Sequence, residues 1–313
     1  MDFRFTEDQL ILVESIRDYF GGTHGPEVLR RLDVEGNRDP DIWQGLVDMG
    51  LTGLCVPEAH GGLGMGIVEA ALIAAECGRV CLAEPLVDTA FVAVPWLIAK
   101  GETDKLSAIA AGDHKVALPH ILNPWVADGE GKPQTSVDPL RNLAMFPASG
   151  SNDDRLLNLG ALMNAAQLLG LADAMLEQAV EYAKIRTQFG QPVGAFQALK
   201  HQLASCAVAV EFAKPVVWRA AAAMQDGLET APVHVSHAKI AASDAAMLTA
   251  ETAIQVHGAM GYTWEVDLQM FMKRAWVLNA TWGDRAFHKQ RVFDALISDS
   301  TLLGPGATFH TLS

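Results

Sequence analysis

The chain has 313 residues, half of them apolar and 19% charged, enough for one large or two modest cores and far from the composition of disordered chains. Its 37 acidic against 23 basic residues leave a net charge of −14, so neither nucleic acid nor an anionic membrane is expected as a partner. The opening Met1-Asp-Phe-Arg-Phe-Thr lacks the apolar core of a leader, and Glu, Lys or His interrupt the alanine-rich runs before they reach the length of a membrane span. Cysteines at 55, 77, 81 and 206 read as buried free thiols of a reducing, cytoplasmic compartment. Cys77 and Cys81 have helical i, i+4 spacing, but no His or second Cys pair completes a metal site.

Residues 1–112 read as an N-terminal helical domain. Thr6-Glu-Asp-Gln is a helix cap, followed by Leu10, Ile11, Val13, Ile16 and Phe20 on one side. A short helix is expected over 41–49, with Trp43, Leu46 and Val47 inward. Glycines at 61, 62, 64 and 66 follow, without the Lys and Ser/Thr of a phosphate loop, so they read as a turn that lets two helices pack closely. Apolar helices continue over 69–79 and 85–100.

Residues 113–155 change character. Strand-like pieces at 115–118 and 142–146 flank a stretch at 127–138 rich in Gly, Pro and Asp. About forty residues can form a few strands or a hairpin, but not a closed barrel. From 156 to 313 long helices return, over 156–185, 196–224, 233–257 and 267–278, with a shorter one over 284–297. Asp226-Gly227 and Pro232 mark a turn, and Pro215 is expected to kink its helix rather than end it. Apolar faces along such lengths suit an antiparallel bundle, and the alanine stripes of 204–223 and 238–246 allow close helix approach. The fold class is therefore mainly α: an N-terminal helical domain, a strongly reduced middle β segment and a C-terminal four-helix bundle.

The most informative stretch runs from Tyr182 to Gln197, Y-A-K-I-R-T-Q-F-G-Q-P-V-G-A-F-Q. It is a helix end, a turn stopped by Gly190 and Pro192, and a new helix start. Arg186, two amides (Gln188, Gln197) and two aromatics (Phe189, Phe196) crowd the break, a set suited to a ligand carrying phosphate and a flat base. The alternative is an ordinary helix end that favours a cation.

Three segments in order resemble the acyl-CoA dehydrogenase family: D-M-G-L-T-G-L-C-V-P-E-A-H-G-G-L-G-M at 48–65, R-T-Q-F-G-Q-P-V-G-A-F-Q at 186–197 and Q-V-H-G-A-M-G-Y at 255–262. The resemblance implies an N-terminal helical wall to an acyl pocket and a bundle whose contacts cross to a neighbour's FAD. By match, Arg186 would meet the pyrophosphate, Gln188 would be among the cofactor contacts, Phe189 and Gln197 would meet the adenosine half, and Gln255 with Gly258 the region beside it. One family glycine is Ala259 here. His257 and Tyr262 read as packing residues.

Two departures matter. The family's middle β-barrel of roughly a hundred residues, with its T-E-P-x-x-G-S-D-like flavin loop, has no counterpart. The family's base is a Glu whose pKa burial can raise; its commonest position falls on Trp282, and the alternative falls near Gly160 or Ala161, none of them acidic. Asp284 is the local acid left, and Gly283-Asp284 reads better as a helix N-cap. A chain that keeps what it would give to a partner and lacks what it would use itself resembles the short subunits of α2β2 acyl-CoA dehydrogenases of bacterial steroid degradation, in which FAD is shared between unlike subunits. That implies a second acyl-CoA dehydrogenase-like subunit, a steroid-CoA substrate and an electron-transfer flavoprotein as acceptor. The alternatives are a self-sufficient homotetramer using Asp284 or Glu265, and a flavin-free structural paralogue.

Overall fold

The computed structural model describes residues 4–35, 38–116, 118–127, 131–146 and 151–298. Thr6 opens helix α1 (Glu7–Thr23): its hydroxyl accepts from Gln9 N–H at 3.2 Å and the Gln9 side chain answers at the Thr6 N–H. α2 (Pro26–Glu35), α3 (Pro40–Asp48) and α4 (Ile67–Arg79) follow. The predicted helix over 85–100 is divided, because a π-helical turn at Val87–Ala93 precedes α5 (Val94–Lys100). A short α6 (Leu106–Ala110) ends this part. The glycine loop serves itself rather than a helix pair. A Cβ on Gly62 would strike the Val56 carbonyl, so the loop folds back on its own turn.

Strands β1 (Trp125–Ala127), β2 (Lys132–Gln134) and β3 (Leu143–Met145) form an antiparallel sheet in the order β1-β3-β2, with Ala144 opposite both Val126 and Pro133. Then comes α7 (Asp154–Ile185), capped by Asp153 Oδ1 accepting from Leu156 N–H at 2.9 Å. A two-strand hairpin, β4 (Thr187–Gln188) and β5 (Gln191–Pro192), leads to α8 (Gln197–Gln225), which runs on through Pro215. α9 (Ala231–His257), α10 (Leu268–Ala280) and α11 (Arg285–Leu296) complete the order.

α7 is the spine. By length and composition it could cross a membrane, contrary to the sequence expectation, yet 83% of its most apolar window is buried inside the protein. α4, α8, α9 and α10 pack around it. The approach of α4 is closest where Gly78 faces Gln167 and Gly170 faces Ala75: at either glycine a side chain would run into the other helix's backbone. Alanines 213, 220, 221 and 223 of α8 and 238, 242, 245 and 246 of α9 are buried between helices, while Ala204 is exposed. One apolar core extends from Ile16 in α1 to Trp282 beyond α10.

Arginines pin the small sheet to this helical body. Arg274 of α10 is 3% exposed, pairs with Asp138 and donates through Nη1 to the Leu82 carbonyl at 2.7 Å. Burial alone would lower its pKa, and Asp138 more than reverses this, so the pair stays charged. Arg38 donates to the carbonyls of Ala83 and Leu140, and Arg141 pairs with Asp88 at 3.0 Å. Breaking a buried pair of this kind costs about 3–5 kcal/mol, because the survivor stays desolvated.

The helix crossing gives a direct test. Gly170→Ala should cost about 1–3 kcal/mol by forcing α4 and α7 apart. Gly21→Ala in α1, where a Cβ meets nothing within 4 Å, should instead gain about 0.5–1 kcal/mol. Urea unfolding followed by circular dichroism measures both.

Candidate functional site

The residues singled out in the sequence fall into two places along α7. The first is its C-terminal end. Arg186 leaves helical backbone (φ −71°, ψ 119°) while its N–H still bonds the Tyr182 carbonyl at 2.9 Å. The hairpin turn needs positive φ at both central residues, supplied by Phe189 (φ 50°) and Gly190 (φ 79°). Val193 N–H closes the loop onto the Arg186 carbonyl at 2.7 Å. Phe189 is 92% exposed, its ring edge-on to Phe196 at 6.1 Å. Positive φ at a non-glycine residue is uncommon, and here it leaves the Phe189 ring in solvent.

Arg186, Gln188, Gln197, Gln255 and Gly258 are all exposed. None of these four side chains makes a hydrogen bond or ion pair among the described residues. Gly258 turns the chain at the end of α9 with φ 62°, and a Cβ there would meet open space. The two helix ends are joined because the Tyr182 ring stacks on the His257 imidazole, centroids 4.3 Å apart. His257 is a packing residue, with burial lowering its pKa, as the sequence suggests. Tyr262 is not: it is 77% exposed, beside a 70% exposed Trp264 whose ring carries Lys273 Nζ at 4.1 Å. An unpaired guanidinium, three free amides and an exposed ring fit the phosphate-bearing and adenosine parts of FAD.

The second place lies in the N-terminal third of α7. The structure brings the two base positions of the resemblance face to face: the indole of Trp282 lies on Gly160, where any Cβ would collide with it. Trp282 is 4% exposed and has φ 58°. Behind it sits a buried polar cluster. Asn164 Nδ2 donates to Thr281 Oγ1 at 2.6 Å, and Lys239 Nζ donates to the Leu278 carbonyl at 2.5 Å. His288 Nε2–H donates to the Trp282 carbonyl at 3.0 Å, so its Nδ1 accepts from the Ser236 hydroxyl, also at 3.0 Å. Burial, aided by Lys239, holds the His288 pKa down at about 4, keeping the ring neutral. The His120 ring lies 6.0 Å from the indole. Asp284 is exposed and caps α11, its Oδ1 accepting from Phe287 N–H at 2.8 Å. Glu265 is exposed near Trp264.

Sequence reasoning missed Lys239, Asn164 and His288. Their signal was available on α9: Ser236, Lys239 and Ser243 recur at helical spacing on the stripe that the buried alanines share. The four cysteines are free and buried, and burial pushes the thiols of Cys55 and Cys81 up to about 12. Among the described residues no group of His, Cys, Asp and Glu could hold a metal ion.

Residues 6–106 match the acyl-CoA dehydrogenase N-terminal domain and residues 153–297 the acyl-CoA dehydrogenase C-terminal domain. Acyl-CoA dehydrogenase IpdE2 of Mycobacterium tuberculosis is 31% identical over 297 residues, covering 86% of this chain and 91% of that protein. Among solved structures, the ChsE4-ChsE5 complex from Mycobacterium tuberculosis contains a chain with a TM-score of 0.79 at 23% identity, covering 95% of this chain and 99% of that one. A chain of the Tcur3481-Tcur3483 steroid ACAD (G363A variant) gives 0.80 at 23% identity, covering 92% and 97%. Both structural likenesses are statements about fold.

The buried amine makes stability depend on pH. Burial lowers the Lys239 pKa from 10.5 to about 7, so between those values the unfolded chain binds a proton that the folded chain does not. Its contribution is therefore least favourable below pH 7 and improves as pH rises toward 10.5. Lys239→Met should remove that rise, seen as a flatter unfolding free energy across this window in urea titrations.

Proposed function

The chain belongs to the acyl-CoA dehydrogenase family, and on that premise we propose that it is one subunit of a heteromeric FAD-dependent enzyme. It completes the cofactor site of a second, acyl-CoA dehydrogenase-like subunit, in an α2β2 assembly. The reaction is α,β-desaturation of an acyl-CoA, with a steroid side-chain thioester as the substrate class. The carrying observation is an asymmetry: an exposed, unpaired cation-and-amide surface at the C-terminal end of α7, against a filled base position near its N-terminal end.

FAD bound at the shared site would accept the hydride from the substrate β-carbon. Arg186 would hold the pyrophosphate by charge-assisted hydrogen bonds, and Phe189, Gln188 and Gln197 the adenosine half. Gln255 and Gly258 would approach from the end of α9. Trp282 cannot take a proton, and its indole fills the space that any side chain at Gly160 would occupy. The α-proton therefore goes to a base on the partner subunit. The steroid assignment rests on the sequence resemblance and on the likeness to the Tcur3481-Tcur3483 steroid ACAD. An electron-transfer flavoprotein as acceptor and a cytoplasmic location belong to the same proposal.

Two other readings meet specific observations. A self-sufficient enzyme would need Asp284, whose carboxylate already caps α11, or Glu265, exposed beside Trp264. A flavin-free paralogue would have no use for Phe189 held at positive φ in solvent.

Co-expression with the partner subunit and measurement of flavin absorbance per chain tests the proposal. One FAD per pair, with none on this chain alone, is expected; a full complement on this chain alone would overturn it. Arg186→Ala should strip most of the flavin from the complex. Asp284→Asn, which preserves the cap, should leave the desaturation rate unchanged, whereas a self-sufficient enzyme would lose it.

A further inference from the structure

The surface assigned to FAD comes from two helix ends that are far apart in sequence, and a single residue touches both, through its backbone carbonyl at one end and its ring at the other. The Tyr182 carbonyl holds the Arg186 N–H at 2.9 Å, fixing where the hairpin leaves α7. The Tyr182 ring lies on His257, with centroids 4.3 Å apart and planes 25° apart. Its hydroxyl reaches the His257 carbonyl at 3.5 Å and Met260 Sδ at 3.7 Å, inside the turn Gly258–Tyr262. His257 is held in turn: its Nδ1–H donates to the Ala253 carbonyl at 2.8 Å, which sets the plane of the ring. His257 is 6% exposed, so the contact is shielded from water, while the groups on either side of it are exposed.

We propose that Tyr182 and His257 are positioning residues that preset the spacing between the Arg186 hairpin and the Gln255–Gly258 turn, so that both engage one dinucleotide at once. The inference rests on the shared-cofactor reading above. Its physical basis is preorganisation. Two contact groups on independently moving helix ends lose affinity to the ordering each must undergo on binding, whereas a stacked pair orders them beforehand. The stack is suited to this because its geometry is fixed by ring planes and the backbone hydrogen bond on His257, and no exposed charge pair is involved. Neither residue touches the ligand side of the surface, so each acts through the groups it places.

The experiment compares complexes carrying Tyr182→Leu, Tyr182→Phe and Arg186→Ala in this chain, reading FAD retention on dilution and amide hydrogen exchange of residues 186–194 and 258–262 in the free chain. Tyr182→Leu should weaken FAD retention about tenfold, the loss that one aromatic pair converts to, and should deprotect both segments together. Tyr182→Phe keeps the stack and should retain flavin and protection. Arg186→Ala should lose flavin while the exchange pattern stays as in the wild type. His257→Ala gives the same test should Tyr182→Leu fail to assemble. Normal FAD retention in Tyr182→Leu or His257→Ala, with Arg186→Ala impaired, overturns the inference while leaving the shared site intact. Normal retention in Arg186→Ala as well removes the shared-site reading and this inference with it.

Discussion

The constraint on which the structure depends is that α7 must be covered on nearly every side. Its 32 residues carry apolar side chains around most of the helix, and such a helix is stable in water only inside a sheath. The sheath comes from α4, α8, α9 and α10, and small residues set how closely it fits. Because Gly78 and Gly170 bring α4 and α7 into backbone contact, the N-terminal helices and the bundle share one core rather than meeting across a cleft. Both candidate places lie along this helix, from Gly160 in its N-terminal third to Tyr182 near its C-terminal end.

The two ends of the argument about function are therefore parts of one element. At Gly160 the absence of a side chain is what lets Trp282 lie flat, and the Asn164, Lys239 and His288 hydrogen bonds hold the 278–282 backbone in place beneath it. A buried amine with a carbonyl as its partner is an expensive way to fix a loop, and the lowered pKa of Lys239 records that cost. At the other end the chain does the opposite, leaving a guanidinium, amides and a phenyl ring in solvent. Filled apolar space in one place and exposed, unpaired polar groups in another are the contrast on which the proposed half-site role rests.

The reduced middle segment explains part of the charge distribution inside the fold. A three-stranded sheet with three-residue strands has little core of its own. Arg38, Arg141 and Arg274 compensate, tying the segment's carbonyls and carboxylates to the helical body. Asp138 and Arg274 form a pair that is buried at both partners, which makes that contact the most costly of these to break.

Much of this was legible in sequence because it is local. The Thr6 and Asp284 caps, the break between Ile185 and Gln197, the long helices of the bundle and the scarcity of strand all follow from residue type and spacing over a few turns. The residues expected to face a cofactor could be picked out because they fall on two short motifs, 186–197 and 255–262, and the structure leaves them exposed at two helix ends. Other features were decided by contacts between distant segments. Nothing near Gly160 announces that an indole from residue 282 will rest on it, and the helical spacing that puts Lys239 on the alanine stripe does not name the Leu278 carbonyl as its partner. The π-helical turn at 87–93 and the burial of α7 also depend on what packs against them, which is why α7 can pass a membrane-span test and still lie inside a protein. The sequence by itself determined the helical class, the caps and the break between Ile185 and Gln197, because hydrogen bonding and periodicity act between neighbours. Only the tertiary structure decided that the base position is filled and that Tyr182 joins two helix ends, because steric exclusion and ring stacking depend on distance in space, not along the chain.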